Sequence, residues 1–481
     1  MQSSALFELL TADDLCRLFA AGEERLVTSG EVLIEAGRPV SSLIIVMEGL
    51  LGVYADEERR ARLAVIGPGD IVGDMSFIER RPPTESVVAE EQSRLLDLPY
   101  DALDAGLGGG DAFNARLYLG LARTLSRRLR LANSRVVAAA AGDEPRREQP
   151  AWRQVEAAVS RIKERLREAD SLALKHQGRL PESAADAIVG DFLGFFDWLN
   201  DEIGDGAARN PRVKDDIGAW LQRELLPYIA LTGTCDRMYS KPRGYAGDFL
   251  TIARIYENSP GGVGRLGATI DRAFLEEPPS VAVRNRRALL GEEIGRTIAA
   301  VADRPALVTS LACGPAAELF DVYTRLPDPA RLKTALVDID LQALAYVADR
   351  RDGLKLQKAM TLSNDNLVAM ALGRSHTSIR SQDLVYSIGL IDYFSDPLVV
   401  RLIDLAHSML AHGGRLILGN FHPRNGCKAF MDHVLEWRLV HRTEADMDRL
   451  FQKSAFGRPC TAIRFEPQGI NLFAECVKGA D

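Results

Sequence analysis

The sequence predicts a multidomain protein in three parts. An N-terminal β-roll is followed by a long helix, then by a middle helical segment, then by a C-terminal α/β domain whose parallel sheet ends in an antiparallel hairpin. Three observations carry this reading. The chain has 481 residues, a length that at about 100–200 residues per domain calls for roughly three domains. The hydrophobic period changes along it, from short turn-punctuated strands, to 3–4 spacing, to apolar strands alternating with helices from residue 305. The last two strand patterns are separated only by Gln-Gly-Ile-Asn, a hairpin spacing.

Composition narrows the class. Hydrophobic residues are 46% and charged residues 26%, the usage of soluble globular chains, which excludes a disordered, fibrous or disulfide-scaffold protein. The net charge of −8 argues against a nucleic-acid coat. No uncharged apolar stretch reaches membrane-spanning length, and no basic segment precedes an apolar run at the N-terminus. Six cysteines without a CxxC pair read as reduced thiols, so a cytoplasmic protein is expected.

In the first part, a short helix at 12–21 precedes strand patterns at 32–34, 43–46, 50–54, 62–66, 86–89 and 93–98, broken by recurrent glycine and proline. From 113 to 136 the period becomes helical, with Leu117, Leu121, Leu125, Leu129 and Ala132 on one face. That stripe must be buried on the roll itself or on a second subunit. A charged, proline-marked stretch at 141–151 reads as the linker between parts 1–140 and 152–304. The middle part is helical, with two glycine-rich interruptions at 241–248 and 259–265. The third part, 305–481, carries candidate strands at 306–311, 333–338, 354–358, 383–388, 415–419, 462–467 and 472–477.

Ser310-Leu-Ala-Cys-Gly-Pro-Ala316 follows the first of these strands and opens a helix. Small residues there let backbone approach a ligand at the strand's carboxyl end; tight strand–helix packing is the alternative. One β/α unit later, Val337-Asp-Ile-Asp340 ends the second strand, where a carboxylate can accept hydrogen bonds from ribose hydroxyls. On these motifs residues 305–478 resemble the class I S-adenosylmethionine (SAM)-dependent methyltransferases, a Rossmann-like fold. The resemblance implies SAM as cofactor, held by Ser310, Ala312, Cys313, Gly314, Asp338 and Asp340. It also implies adenine contacts from Asn364, Asp365 and Asn366, and methionine or substrate contacts from Ser387 and Gly389. The reversed final hairpin distinguishes the family from an NAD-binding domain.

Tyr239-Ser-Lys-Pro-Arg-Gly-Tyr-Ala-Gly-Asp248 reads either as a solvated turn between helices or as a lid. It resembles a K-P-x-G-Y-A-G-D stretch of bacterial 3-hydroxypalmitic acid methyl ester biosynthesis proteins, fatty-acid O-methyltransferases. That resemblance implies a small-molecule carboxylate substrate, with Tyr239, Arg243 and Asp248 binding it and Tyr245 folded over the cofactor. A carboxylate needs no base; for a protonated substrate, His422, Asp392 and Tyr393 are the candidates, each equally readable as structural. No histidine pair has metal-binding spacing, so no metal is expected.

Residues 7–140 resemble the cyclic nucleotide-binding domain of bacterial regulators, on Pro68-Gly-Asp-Ile-Val-Gly-Asp-Met-Ser76 and Arg81-Pro-Pro-Thr-Glu-Ser-Val87. The acid is kept at Asp74, but the phosphate arginine falls on Pro83 and Glu85 stands beside it, so cyclic nucleotide binding is doubtful unless Arg80 or Arg81 substitutes. In such regulators the following helix is a dimer seam, which implies a homodimer through 113–136. The leading expectation is a SAM-dependent methyltransferase. The alternatives are a SAM-consuming enzyme that attacks the aminocarboxypropyl arm, and a cyclic-nucleotide sensor that only binds SAM.

Overall fold

A computed structural model describes residues 10–55, 62–67, 70–108, 110–122, 124–125, 150–207, 210–243, 245–373 and 378–479. Pro68, Gly69, Leu129, Ala132, residues 141–149, Gly244 and His376 lie outside them.

Helix α1 (Ala12–Ala21) opens on a reciprocal cap, Thr11 accepting from the Asp14 amide and Asp14 from the Thr11 amide. Then come β1 (Glu23–Val27), β2 (Val32–Ile34), β3 (Ser42–Glu48), β4 (Leu51–Tyr54), β5 (Arg62–Ile66), β6 (Ile71–Val72), helix α2 (Asp74–Glu79), β7 (Ser86–Ala89) and β8 (Ser93–Pro99). They form two antiparallel four-stranded sheets, β1-β8-β3-β6 and β2-β7-β4-β5. Between the sheets pack Ile34, Ile44, Val46, Leu51, Val87 and Leu95. Strand β1 escapes sequence reading because Glu-Glu-Arg-Leu-Val lies at a sheet edge with only Val27 buried. Gly73 opens α2 at φ 84°, and a Cβ there would lie 2.8 Å from the Ser42 carbonyl oxygen, so the turn requires glycine. Arg80, a candidate phosphate ligand, makes a bidentate pair with Asp104 at 2.6 and 2.7 Å, and Arg81 is exposed.

Helix α3 (Tyr100–Asp104) leads to α4, which runs through 110–122 and 124–125. Leu117 and Leu121 are fully buried in the chain's own core, and Leu125 is half-buried. Arg116 of α4 pairs with Asp14 of α1 at 2.6 Å. These two leucines pack on their own chain, and the stripe's Leu129 and Ala132 lie outside the described residues.

The middle part contains α5 (Pro150–Lys175), α6 (Glu182–Ile203), α7 (Pro211–Ile229), α8 (Cys235–Ser240), α9 (Phe249–Glu257), α10 (Gly267–Glu276) and α11 (Pro278–Ala300). The third part contains β9 (Ala306–Leu311), α12 (Ala317–Arg325), β10 (Leu332–Asp338), α13 (Leu341–Gly353), β11 (Met360–Asn364), α14 (Leu367–Ala371), β12 (Gln382–Ile388), α15 (Asp396–Met409), β13 (Leu410–Phe421), α16 (Lys428–His433), α17 (Glu444–Lys453), β14 (Ala462–Phe465) and β15 (Asn471–Val477). The sheet order is β11-β10-β9-β12-β13-β15-β14, the first five strands parallel and the last two antiparallel. The strand order reverses between β9 and β12, the crevice where open α/β sheets bind ligands.

One strand is misplaced by the sequence. Residues 354–358 form the turn after α13, with Lys355 at φ 57° and Leu356 buried as its apolar plug; the strand is β11. Its polar Met-Thr-Leu-Ser-Asn composition suits a sheet edge, which hid it. The middle helices are joined to the third part: Phe196 and Phe274 meet Phe430 at ring centroids 4.6 and 5.5 Å away. Glu293 of α11 pairs with Arg415 of β13 at 2.8 Å, so a division at 304/305 parts α11 from the sheet it packs on. Among the described residues no helix is long and apolar enough to cross a membrane.

Candidate functional site

A cavity of about 370 Å³ opens at the carboxyl ends of β9, β10 and β12. Its first wall is the turn after β9. Ala312 (φ 55°), Gly314 (φ 52°) and Ala316 (φ 49°) adopt left-handed angles there, and the small side chains keep the bend open. Ser310, Ala312, Cys313 and Gly314 all line the cavity. At the end of β10, Asp338 accepts from the Gly314 amide (2.8 Å) and the Asp340 amide (2.9 Å), bracing the turn. Burial pushes its carboxyl up to about 6, against the pull of those two amides. Asp340 also lines the cavity, but its carboxylate caps α13 and is gripped by Arg243 at 2.8 and 2.9 Å.

Other predicted contacts serve the scaffold. The Asn364 amide donates to the carbonyls of Asp338 and Ile339, the backbone of Asp365 donates to Asp338, and Asn366 caps α14. Ser387 donates to the Leu311 carbonyl at 2.8 Å and ties β12 to β9. None of these four is among the cavity-lining residues, whereas Gly389, at φ 77°, is.

The floor holds Asp392, named by the sequence, and one charge the sequence reading missed, Arg286. Arg286 projects from α11, only 5% exposed, and its guanidinium lies 3.1 Å from where a Cβ of Gly389 would stand. Asp392, 1% exposed, accepts from the Phe421 amide with one oxygen. Among the described residues, Nε of Arg286 and the other oxygen of Asp392 have no hydrogen-bond partner. Burial pushes the Asp392 carboxyl up to about 6, although Arg442 and Arg286 draw it down. Beside them, Tyr386 donates to Glu318 at 2.7 Å. Tyr256 accepts a hydrogen bond from the Arg286 side chain, so what remains unmet is Nε and one carboxylate oxygen. Leaving such buried polar atoms unpaired is costly unless a ligand completes them. Arg286 had a signal: it shares the apolar face of Ala282, Leu290 and Ile294 at spacings of four, where an exposed arginine does not belong.

The segment 239–248 covers one side. Tyr245 lines the cavity with its ring edge-on to Tyr393, centroids 6.5 Å apart. Gly247 sits so close that a Cβ would lie 2.6 Å from the Tyr393 hydroxyl, which accepts from Trp437 Nε1 at 3.0 Å. Arg243 is already neutralised by Asp340 and also reaches Gln342. Asp248 caps α9 and makes a bidentate pair with Arg237 at 2.8 and 2.9 Å, and Tyr239 is half-buried away from the cavity. His422 lies off the cavity too: Nε2 meets Glu444 at 3.0 Å, and Nδ1 accepts from the Arg424 amide. The lining also includes the apolar side chains of Leu390, Phe394, Phe421, Trp437 and Leu439. Among the described residues, no group of three or more His, Cys, Asp or Glu is placed to hold a metal.

Two family models match the chain. Residues 24–107 match the family described as "Cyclic nucleotide-binding domain", and residues 244–471 the one described as "Putative methyltransferase". Among curated proteins, Glutaminase 2 of Bradyrhizobium diazoefficiens is 30% identical over 132 residues, 27% of this chain and 21% of that protein. A CRP-like cAMP-activated global transcriptional regulator of Mycobacterium tuberculosis is 28% identical over 107 residues, 22% of this chain and 46% of the regulator. The chain thus spans less than half the length of the curated relatives it matches. Among solved structures, a possible exported protein from Bordetella parapertussis is similar at TM-score 0.44 and 21% identity, over 62% of this chain and 99% of that one. A magnesium protoporphyrin IX methyltransferase from Synechocystis with bound SAM is similar at TM-score 0.31 and 14% identity, over 42% and 83% of the two chains.

Proposed function

We propose that the chain is a SAM-dependent methyltransferase acting on a small molecule with an apolar part. The observation that carries this reading is a pair of buried polar atoms on the cavity floor, Arg286 Nε and one Asp392 oxygen, that have no hydrogen-bond partner among the described residues. An amino-acid end presents a carboxylate and an ammonium, which are the two groups this pair lacks. Arg286 would hold the carboxylate, Asp392 the ammonium, and Asp338 the ribose hydroxyls, so the residues present fit the cofactor. When bound, SAM supplies an electrophilic methyl group on a sulfonium.

The chain's own contribution is alignment and exclusion of water, which in favourable cases is worth about 7–11 kcal/mol. Tyr245 and Gly247 close one side of the cavity against Tyr393 and Trp437. The apolar lining residues Leu390, Phe394 and Leu439 suit an acyl chain, which supports a fatty or hydroxy-fatty carboxylate as substrate. Such a substrate is an anion at neutral pH and asks nothing of a base, in keeping with His422 being held elsewhere.

Incubation with SAM and 3-hydroxypalmitate, followed by mass spectrometry, tests the reading. Release of S-adenosylhomocysteine with a methyl ester supports it. Release of methylthioadenosine would instead establish attack on the aminocarboxypropyl arm. Methyl transfer to other acceptors only would overturn the fatty-acid assignment.

The lid gives a second expectation. Arg243→Ala removes a half-buried bidentate pair to Asp340, and charged hydrogen bonds of this kind contribute about 1.5–3 kcal/mol. SAM affinity by calorimetry is expected to fall about tenfold, a conversion of about 1.4 kcal/mol, with the melting temperature within a few degrees of wild type. Unchanged affinity would make the segment a plain interhelical turn.

A further inference from the structure

The cavity has one wall that comes from the β-roll, well outside the 244–471 methyltransferase match. Glu48 and Gly49 at the end of β3, and Glu91, Ser93 and Arg94 at the start of β8, line the same space as Asp338, Asp340 and Arg243. The wall is built, not draped. Gly49 stands at φ 86°, and a Cβ there would lie 2.2 Å from Ser93 Oγ, so the two turns lie in direct backbone contact. Ser93 Oγ donates back to the Glu91 carbonyl at 2.9 Å. Arg94 pairs with Glu48, and among the described residues its Nε, buried, has no partner. Burial pushes the Glu91 carboxyl up while Arg243 draws it down, and Asp340 pushes up both Glu91 and Glu48. The roll's charges and the end of β10 therefore share one electrostatic neighbourhood.

We propose that this β-roll edge is the outer wall of the cofactor site and contacts the adenosine end of the bound nucleoside, so that the site is incomplete without the N-terminal part. This rests on the cofactor reading above. A ligand whose amino-acid end lies on Arg286 and Asp392 and whose ribose lies on Asp338 has its base toward the Asp340 side, where Glu48 and Glu91 stand. The adenine ring offers its exocyclic amine as a donor, and the wall offers carboxylate and carbonyl acceptors. Charge-assisted bonds of that type discriminate strongly. The roll then has a direct purchase on cofactor affinity without any transmission through the helical part.

The test uses the full chain with S-adenosylhomocysteine and, separately, adenosine as probes, in wild type, Glu91→Ala and Glu48→Gln. The expected result is a roughly tenfold loss of affinity for both probes, with a faster dissociation rate in stopped flow and an unchanged melting temperature. Affinities within twofold of wild type would overturn the wall while leaving the cofactor reading intact. Failure of wild type to bind S-adenosylhomocysteine at all would instead sink the cofactor reading. If Glu91→Ala lowers the melting temperature, Glu91→Gln, which keeps shape and loses charge, decides: full affinity overturns the proposal, and reduced affinity supports it.

Discussion

Arg286→Leu is expected to lose SAM binding by about 1.5–3 kcal/mol, roughly 10- to 150-fold, because it removes charged hydrogen bonds in a buried setting. Leucine continues the apolar face of Ala282, Leu290 and Ile294, so α11 keeps its packing on the sheet. The same change strips Asp392 of a cation that draws its carboxyl down, leaving that acid more readily protonated. Methionine offered as a competitor should lose affinity in parallel, while adenosine should not. Arg286→Lys keeps the charge without the planar fork and should fall between wild type and leucine. A leucine variant with wild-type affinity for SAM would take Arg286 out of the site.

Asp338→Ala should lose about as much, again about 1.5–3 kcal/mol, with adenosine affected and methionine spared. Its signature is the pH profile. The wild-type carboxyl sits at about 6, as does that of Asp392. A cationic ligand favours the ionised acids, so its binding lowers both values. Affinity should therefore rise from pH 5 to about 7 and then level, by up to tenfold per unit for each group that titrates. For folding the sign is opposite. A carboxyl raised above its unfolded value holds a proton more tightly in the native state. Its contribution is fully present below pH 4 and is lost as pH rises through 6. Asp338→Ala should flatten the lower part of the binding curve; a profile identical to wild type would remove the ribose assignment.

Much of the site was legible in the chain. Ser310 and residues 312–315 of the first turn, Asp338 at the end of its strand and Gly389 after β12 all line the cavity, because small residues and a carboxylate at strand ends have few other uses. The lid residues Arg243 and Tyr245 reach it too. Asn366, Asp248 and Ser387 do not, since caps and strand ties use the same polar side chains as ligand contacts and spacing does not separate the two roles. Arg286 was hidden in the run Arg284-Asn-Arg-Arg287, which reads as a solvated face until the helix is placed on its sheet. The β-roll wall was beyond reach for another reason. It depends on a meeting of residues near 48 and 91 with residues near 340, and no local pattern encodes that approach.

The central claim is that the cavity at the carboxyl edge of the sheet is the SAM site. The most direct measurement is a crystal structure of the full chain with S-adenosylhomocysteine. The expected result has the ligand carboxylate on Arg286, its ammonium on Asp392 and its ribose on Asp338. A ligand bound elsewhere, or bound in this cavity without touching Arg286 or Asp338, would contradict the account.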